Sequence, residues 1–258
     1  VYAEKEVQDY DKVIAYADKV MKTTGVELED SYETLWGYDE TAKDCMKRNT
    51  KEGILEVHWT TGSGNWETWM YGRQLDNWDY YFTWAKWITP SRDIINDFDK
   101  EGDEVRKNQA IVYYACTWSN YYLASNYPFM YKLRSSYNNI YWVRLADIIL
   151  MKAEAEAYKG NLAESAKLVN QIRKRAKLKE LTSDKTGSKE SMIEAVLHER
   201  RLELAFEGER WFDLCRNNKV EKYLNGIDSR DSGRIRQVKQ FDSNSYLLPI
   251  PQTALDQN

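Results

Sequence analysis

Three glutamates recur at every fourth position in the C-terminal third of the chain. Glu199, Glu203 and Glu207 lie within the segment ERRLELAFEGERWFDL, residues 199–214. Residues four positions apart share one face of a helix. A pair of these carboxylates could therefore act as general acid and general base, as in glycoside hydrolysis.

The same segment carries arginines that could neutralise these carboxylates. Like charges one helical turn apart repel each other unless cations lie between them, and the guanidinium fork suits bidentate pairing with carboxylates. The segment is too charged for a plain core helix and too apolar for a solvated one. The pattern favours a buried arginine–glutamate network over a catalytic pair, with cations from Arg200, Arg201 and Arg210.

A short acidic run resembles the start of a calcium-binding loop. Residues 97–102 read DFDKEG, but the twelfth position, which supplies a bidentate glutamate in an EF-hand, is Asn108. The sequence therefore favours a polar turn in which Asp103 and Arg106 form a local ion pair.

Histidine and cysteine provide no metal-binding pattern. His58 and His198 are far apart in the sequence, so we expect structural roles for both. The cysteines Cys45, Cys116 and Cys215 are odd in number and lack a CxxC spacing, which favours small apolar thiols over zinc ligands or disulfides.

Composition excludes several classes of function. The net charge is −4 and the lysines and arginines are scattered, which argues against nucleic-acid binding. No apolar stretch approaches the roughly 18 residues that span a bilayer. The sequence contains no P-loop, G-x-G-x-x-G or G-x-S-x-G motif.

The most suggestive binding pattern is a cluster of aromatic residues within residues 62–90, which are rich in glycine and asparagine. An aromatic plane matches the C–H face of a sugar ring, and polar side chains match its hydroxyl rim. The predicted ligand-binding residues are Trp66, Trp69, Tyr71, Arg73, Asp76, Asn77, Trp78 and Tyr81. Core packing is the alternative, and it is favoured for Trp59, Trp84 and Trp87. Residues 118–131, which are also rich in aromatic residues, form a weaker second candidate for ligand binding.

Hydrophobic periodicity predicts a mainly helical protein with a few short strands. Helices are predicted at residues 8–22, 91–98, 143–159, 162–177 and 188–206. Strands are predicted at 53–61 and 110–118. The Gly160-Asn161 break makes two of the helices an antiparallel hairpin of the tetratricopeptide type. Residues 62–90 and 119–140 are predicted as loops, residues 179–189 and 225–245 as polar surface, and residues 246–252 as extended.

Four segments of the chain resemble the SusD/RagB family of outer-membrane nutrient-binding lipoproteins, and they occur in the order found in that family. They are VRLADIILMKAEAEAYKGN (143–161), LVNQIRKRAKL (168–178), ERRLELAFEGERWFDLCR (199–216) and LLPIPQ (247–252). The resemblance covers nearly the whole chain but only part of the family's length.

The resemblance implies a single SusD-like region, mainly α-helical, that lacks the family's N-terminal part. Residues 1–60 would end an N-terminal repeat region and include a strand. Residues 61–140 would hold the aromatic-rich ligand-binding loops. Residues 141–258 would form the helical hairpin, the charged helix and the LPIPQ segment.

The resemblance also implies a function without catalysis or cofactors. The protein would bind an oligosaccharide at the outer surface of the outer membrane, through a lipid anchor not present in this chain. It would deliver the ligand to a TonB-dependent transporter of the SusC type. Peptide binding, as in RagB-like proteins, is the alternative. A glycoside-processing enzyme that uses Glu199 or Glu203 is a more remote one.

Overall fold

A computed structural model describes residues 7–42, 44–59, 88–119, 121–135, 138–231, 239–247 and 250–256. This part of the chain is mainly helical, with only short strands, as the sequence predicts. The helices are α1 Tyr10–Met21, α2 Glu33–Trp36, α3 Arg92–Glu101, α4 Glu104–Ala110, α5 Leu145–Lys159, α6 Leu162–Arg175, α7 Ser183–Thr186, α8 Lys189–Glu203, α9 Arg210–Arg216, α10 Val220–Leu224, α11 Ile227–Arg230 and α12 Gln252–Leu255.

The helical hairpin predicted from Gly160-Asn161 is confirmed. Helix α5 ends at Gly160, whose φ of 85° is in the left-handed region that glycine adopts without strain. Helix α6 then runs back along α5, and α1 and α8 pack against α5 as well. Alanines on α5, including Ala153 and Ala157, are fully buried and let the neighbouring backbones approach closely.

The main hydrophobic core lies between these four helices. Its buried side chains come from α5, α6 and α8 and include Ile149, Leu150, Val169, Ile172 and Val196, and Val20 and Met21 of α1 pack against them. Removing this much apolar surface from water supplies the main driving force for assembly. Helix α8 begins with a capping box in which Ser188 and Ser191 satisfy each other's backbone N–H groups.

Six short strands form three antiparallel pairs in the described part of the chain. They are β1 Tyr38–Asp39 with β2 Asp44–Cys45, β3 Gly53–Val57 with β6 Ile140–Arg144, and β4 Ile111–Tyr114 with β5 Tyr127–Met130.

Several boundaries differ from those predicted. The predicted loop 119–140 contains β5, whose four residues are all buried. The strand predicted at 110–118 is only the four residues of β4. Residues 97–101 lie inside α3, and Gly102 caps that helix, so they do not form a calcium-binding loop. The predicted Asp103–Arg106 ion pair is confirmed.

The charged segment 199–214 is not one continuous helix end. Helix α8 ends at Glu203, three residues earlier than predicted, and α9 begins at Arg210. The connecting turn contains Phe206 and Gly208 with φ angles of 66° and 90°. No helix of the described residues has both the length and the apolar character needed to cross a membrane.

Candidate functional site

The predicted sugar-binding residues Trp66, Trp69, Tyr71, Arg73, Asp76, Asn77, Trp78 and Tyr81 all lie outside the described residues. Their grouping around a ligand therefore stays a prediction. Trp84 and Trp87 also lie outside the described residues, whereas Trp59 is described and partly buried.

The weaker aromatic candidate, residues 118–131, is largely a packing element. Tyr127 and Phe129 on β5 are fully buried. The Trp118 ring meets the Tyr127 ring edge-on, with 4.7 Å between their centroids. Nearby, the Arg92 guanidinium lies 4.2 Å from the centroids of both Tyr121 and Tyr122. These contacts fill a small satellite core and leave little aromatic face for a ligand.

Glu203 lies at the centre of a buried ion-pair network below the turn 204–209. Its carboxylate accepts hydrogen bonds from Arg144 at 2.6 Å, from Arg106 at 3.2 Å, and from Arg175. All four side chains are almost completely buried. The network therefore joins the end of α8 to α4, to the end of β6 and to the end of α6.

The two flanking glutamates extend the same network. Glu199 accepts from Arg106 at 2.6 Å and from Arg173 at 3.0 Å. Glu207 accepts from Arg144 Nε at 2.7 Å and from the Lys132 ammonium at 2.5 Å.

The predicted arginine–glutamate network therefore exists, but its cations are not those predicted. Arg200 instead binds Asp147 and Asp213, and Arg201 binds Asp93 and Asp97. Arg210 donates to the backbone carbonyl of Leu197. Adjacent arginines on a helix point in different directions. The glutamates thus pair with arginines from distant segments, which sequence spacing does not reveal.

The electrostatics of the glutamates argue against acid–base catalysis. Burial alone would raise the pKa of the Glu203 carboxyl, but Arg175, Arg144 and Arg106 together lower it far below its ordinary value. Arg144 and Lys132 likewise overcome burial and lower the pKa of Glu207. A general acid at neutral pH needs a raised pKa and access to its substrate. Glu203 has neither, so its role is structural.

A concave surface lies directly beside this network. It is a groove of about 660 Å³ between β6 and the turn that joins α8 to α9. Trp142 on β6 and Phe212 on α9 line it, with 66% and 57% of their surfaces exposed. Glu209 lines it as well, and Lys132 and Trp36 contribute from below. We call this surface the Trp142 groove.

Strand alternation explains why Trp142 faces solvent. Successive side chains of a strand point to opposite faces, and the preceding residue Tyr141 is buried whereas Trp142 is exposed. The Tyr141 ring packs edge-on against Trp36, with a centroid distance of 5.2 Å and an interplanar angle of 81°. The exposed ring therefore projects from a rigid support.

The ion-pair network holds the opposite wall of the groove. Glu207 lies in the turn 204–209, and its carboxylate receives hydrogen bonds from Arg144 Nε and Nη2. Both the Lys132 ammonium and the Tyr32 hydroxyl donate to the backbone carbonyl of Glu203, at 3.2 and 2.8 Å. These contacts fix the turn that leads into α9, whose Phe212 lines the groove together with Trp142.

Sequence reasoning missed this groove because it assigned residues 143–144 to a helix and residues 119–140 to a loop. The available signal was the run of β-branched and aromatic residues in IYWVR, residues 140–144, which are typical of strands. Read as a strand, it places Trp142 on the opposite face from Tyr141.

Comparison with known proteins places the chain among proteins with related sequences. A family model described as the SusD family matches residues 124–258. SusD-like protein P38 of Formosa agariphila is 39% identical over 103 residues, which cover 38% of this chain and 20% of that protein. SusD-like protein P2 of the same organism is 30% identical over 134 residues, or 48% of this chain and 25% of that protein.

Solved structures share the fold. A SusD superfamily protein from Bacteroides vulgatus superposes with a TM-score of 0.67 at 22% identity, over 96% of this chain and 57% of that one. Surface glycan-binding protein A from Bacteroides thetaiotaomicron, solved in complex with laminarihexaose, gives a TM-score of 0.66 at 18% identity, with the same coverage of each chain. The chain thus matches only a fifth to a quarter of the curated relatives' length and just over half of these solved chains.

Proposed function

Because the chain belongs to the SusD family, we propose that the protein binds oligosaccharides at the cell surface and delivers them to a TonB-dependent transporter of the SusC type. Family membership is the observation that carries this proposal. The complex of a structurally similar glycan-binding protein with laminarihexaose supports it.

The proposed ligand-binding residues are the aromatic and polar side chains predicted between residues 66 and 81. Tryptophan and tyrosine rings offer flat apolar faces to sugar rings, and the neighbouring arginine, aspartate and asparagine can bind hydroxyl groups. The protein would hold the sugar without chemical change, and the burial of Glu199 and Glu203 in ion pairs with arginines supports this.

We propose that the protein lies at the outer membrane, held there by a lipid anchor. The anchor and the transporter are both inferred from the family. Co-purification of the complete protein with a TonB-dependent transporter from its native outer membrane would support the delivery step. Recovery of the complete protein in the soluble cell fraction would contradict the location.

Isothermal titration calorimetry tests the binding step directly. The complete protein is titrated with a panel of oligosaccharides that includes laminarihexaose, and Trp66→Ala, Trp69→Ala and Trp78→Ala are each tested singly. We expect at least one substitution to weaken binding about tenfold, which corresponds to ~1.4 kcal/mol. Tyr16→Ala is the matched control, because Tyr16 is exposed on α1.

The same experiment separates glycan binding from peptide binding. If the complete protein binds no glycan and co-purifies with a mixture of peptides, the proposal is wrong and the peptide alternative replaces it. Peptide capture depends on backbone hydrogen bonds and charge complementarity more than on flat aromatic faces, so the tryptophan variants would then retain most of their affinity.

A further inference from the structure

The Trp142 groove has the dimensions and surface of a small-ligand site. Its volume of about 660 Å³ lies within the roughly 300–1,000 Å³ that such sites occupy. Two large aromatic side chains, Trp142 and Phe212, are more than half exposed along it. Large exposed aromatic groups that share one concavity are characteristic of interaction sites, whereas scattered exposed apolar residues are ordinary.

The rings in the groove are not needed for packing within the described part of the chain. Trp36 and Tyr141 supply the local core beneath them and are nearly fully buried. Among the described residues, neither Trp142 nor Phe212 has an aromatic partner. The apolar face of Trp142 is therefore available to a ligand.

The charges around the groove restrict what that ligand can be. Among the lining residues that the structure describes, Lys132 is the one cation. It is 99% buried, with its ammonium group bound to the Glu207 carboxylate and the Glu203 carbonyl. Glu207 and Glu209 also line the groove. Within this described lining, an anionic ligand would meet carboxylates and no cation free to receive it, so the groove suits an uncharged ligand.

The geometry points to the Trp142 groove as a second carbohydrate site, in which one ring of a neutral oligosaccharide stacks on Trp142 and a neighbouring ring contacts Phe212. This inference rests on the proposed function. It concerns a different surface from residues 66–81, and it specifies the class of sugar.

The test combines a signal specific to Trp142 with affinity measurements on the complete protein. The tryptophans of the protein are labelled with 5-fluorotryptophan, and the ¹⁹F resonance that disappears in Trp142→Phe identifies Trp142. The background carries Trp66→Ala, Trp69→Ala and Trp78→Ala together, so that the predicted loop cannot supply the signal.

We expect laminarihexaose to shift the Trp142 resonance in a saturable manner. In the same background, Trp142→Ala should weaken calorimetric binding at least tenfold, and Trp142→Phe should restore most of it. The exposed-residue control Tyr16→Ala should leave the affinity unchanged. A uronic-acid oligosaccharide of equal length should bind at least tenfold more weakly than the neutral one.

The possible failures are distinguishable. If the unsubstituted protein binds glycan but the Trp142 resonance does not move, this inference is overturned and the proposed function stands. Equal or tighter binding of the uronic-acid oligosaccharide overturns the neutral specificity. If Trp142→Ala binds glycan normally but no longer co-purifies with the transporter, the groove is a protein interface. That result also overturns the inference of a second carbohydrate site. If no glycan binds at all, both proposals fail.

Discussion

Neutralising Glu203 should destabilise the fold more than any surface charge change. In Glu203→Gln, the three guanidiniums of Arg106, Arg144 and Arg175 lose a shared carboxylate in a site that water does not reach. The glutamine amide would also direct N–H donors toward cations that need acceptors.

The structure sets the expected size of this effect. Around Glu203, five buried cations are balanced by five carboxylates, and the substitution leaves one positive charge uncompensated. The cations are Arg106, Lys132, Arg144, Arg173 and Arg175. The carboxylates that remain are Glu52, Asp103, Glu199 and Glu207. Removing one partner from a buried ion pair costs about 3–5 kcal/mol. At about 2–4 °C per kcal/mol for a protein of this size, the melting temperature should fall by roughly 6–20 °C.

Urea unfolding followed by circular dichroism measures this loss, provided that the unfolding is reversible. The matched control is Glu180→Gln, because Glu180 is exposed in the loop after α6, and it should change the free energy of unfolding by less than about 0.5 kcal/mol. A double-mutant cycle with Arg175→Gln isolates the coupling between the two side chains. A loss below about 1 kcal/mol for Glu203→Gln would refute the claim that the network clamps the fold.

Three further predictions concern the same region. Because their ion pairs lower the pKa of Glu203 and Glu207 in the folded state, this stabilisation is present above the unfolded pKa of about 4.3. The free energy of unfolding should therefore fall steadily in urea titrations from pH 5 to pH 3, and a flat profile would contradict the assignment. Burial lowers the pKa of Lys132 to about 8, and Glu207 keeps two bonds from Arg144 without it. Lys132→Met should consequently lower the free energy of unfolding by less than about 1.5 kcal/mol, whereas Arg144→Met should lower it by more than about 3 kcal/mol. Equal losses in the two variants would contradict the view that Arg144 contributes more than Lys132 to holding Glu207. Finally, Gly208→Ala should lower the free energy of unfolding by about 1–2 kcal/mol because φ is 90° there, although an added methyl group meets no atom of the described residues within 4 Å. An unchanged melting temperature would contradict this.

Local features of the fold were predictable from the sequence because local interactions set them. The helical period, the Gly160-Asn161 turn and the Ser188 cap each depend on residues within one or two helical turns. The Asp103–Arg106 pair, three positions apart on one helical turn, was predictable for the same reason. The family could be identified because its motifs lie in these regular segments.

The groove and the partners of the glutamates were not predictable in the same way. Arg106 and Glu203 are 97 positions apart, and tertiary packing alone brings them together. The strand β5 is buried along its whole length, so it lacks the alternation that marks a half-buried strand. Trp142 was missed because β6 runs directly into α5, and the helical pattern of α5 obscures the strand before it.

The span of the ion-pair network has a consequence for how the protein is made. During synthesis, Arg106, Arg144 and Arg173 leave the ribosome before Glu199 and Glu203, two of the carboxylates that neutralise them. Guanidiniums without these partners remain hydrated, because burying unpaired charge is costly. We therefore expect the central region to stay open until α8 has emerged, and to close late through contacts between distant segments, which favours slow folding. Fragments that end before α8 should stay unfolded.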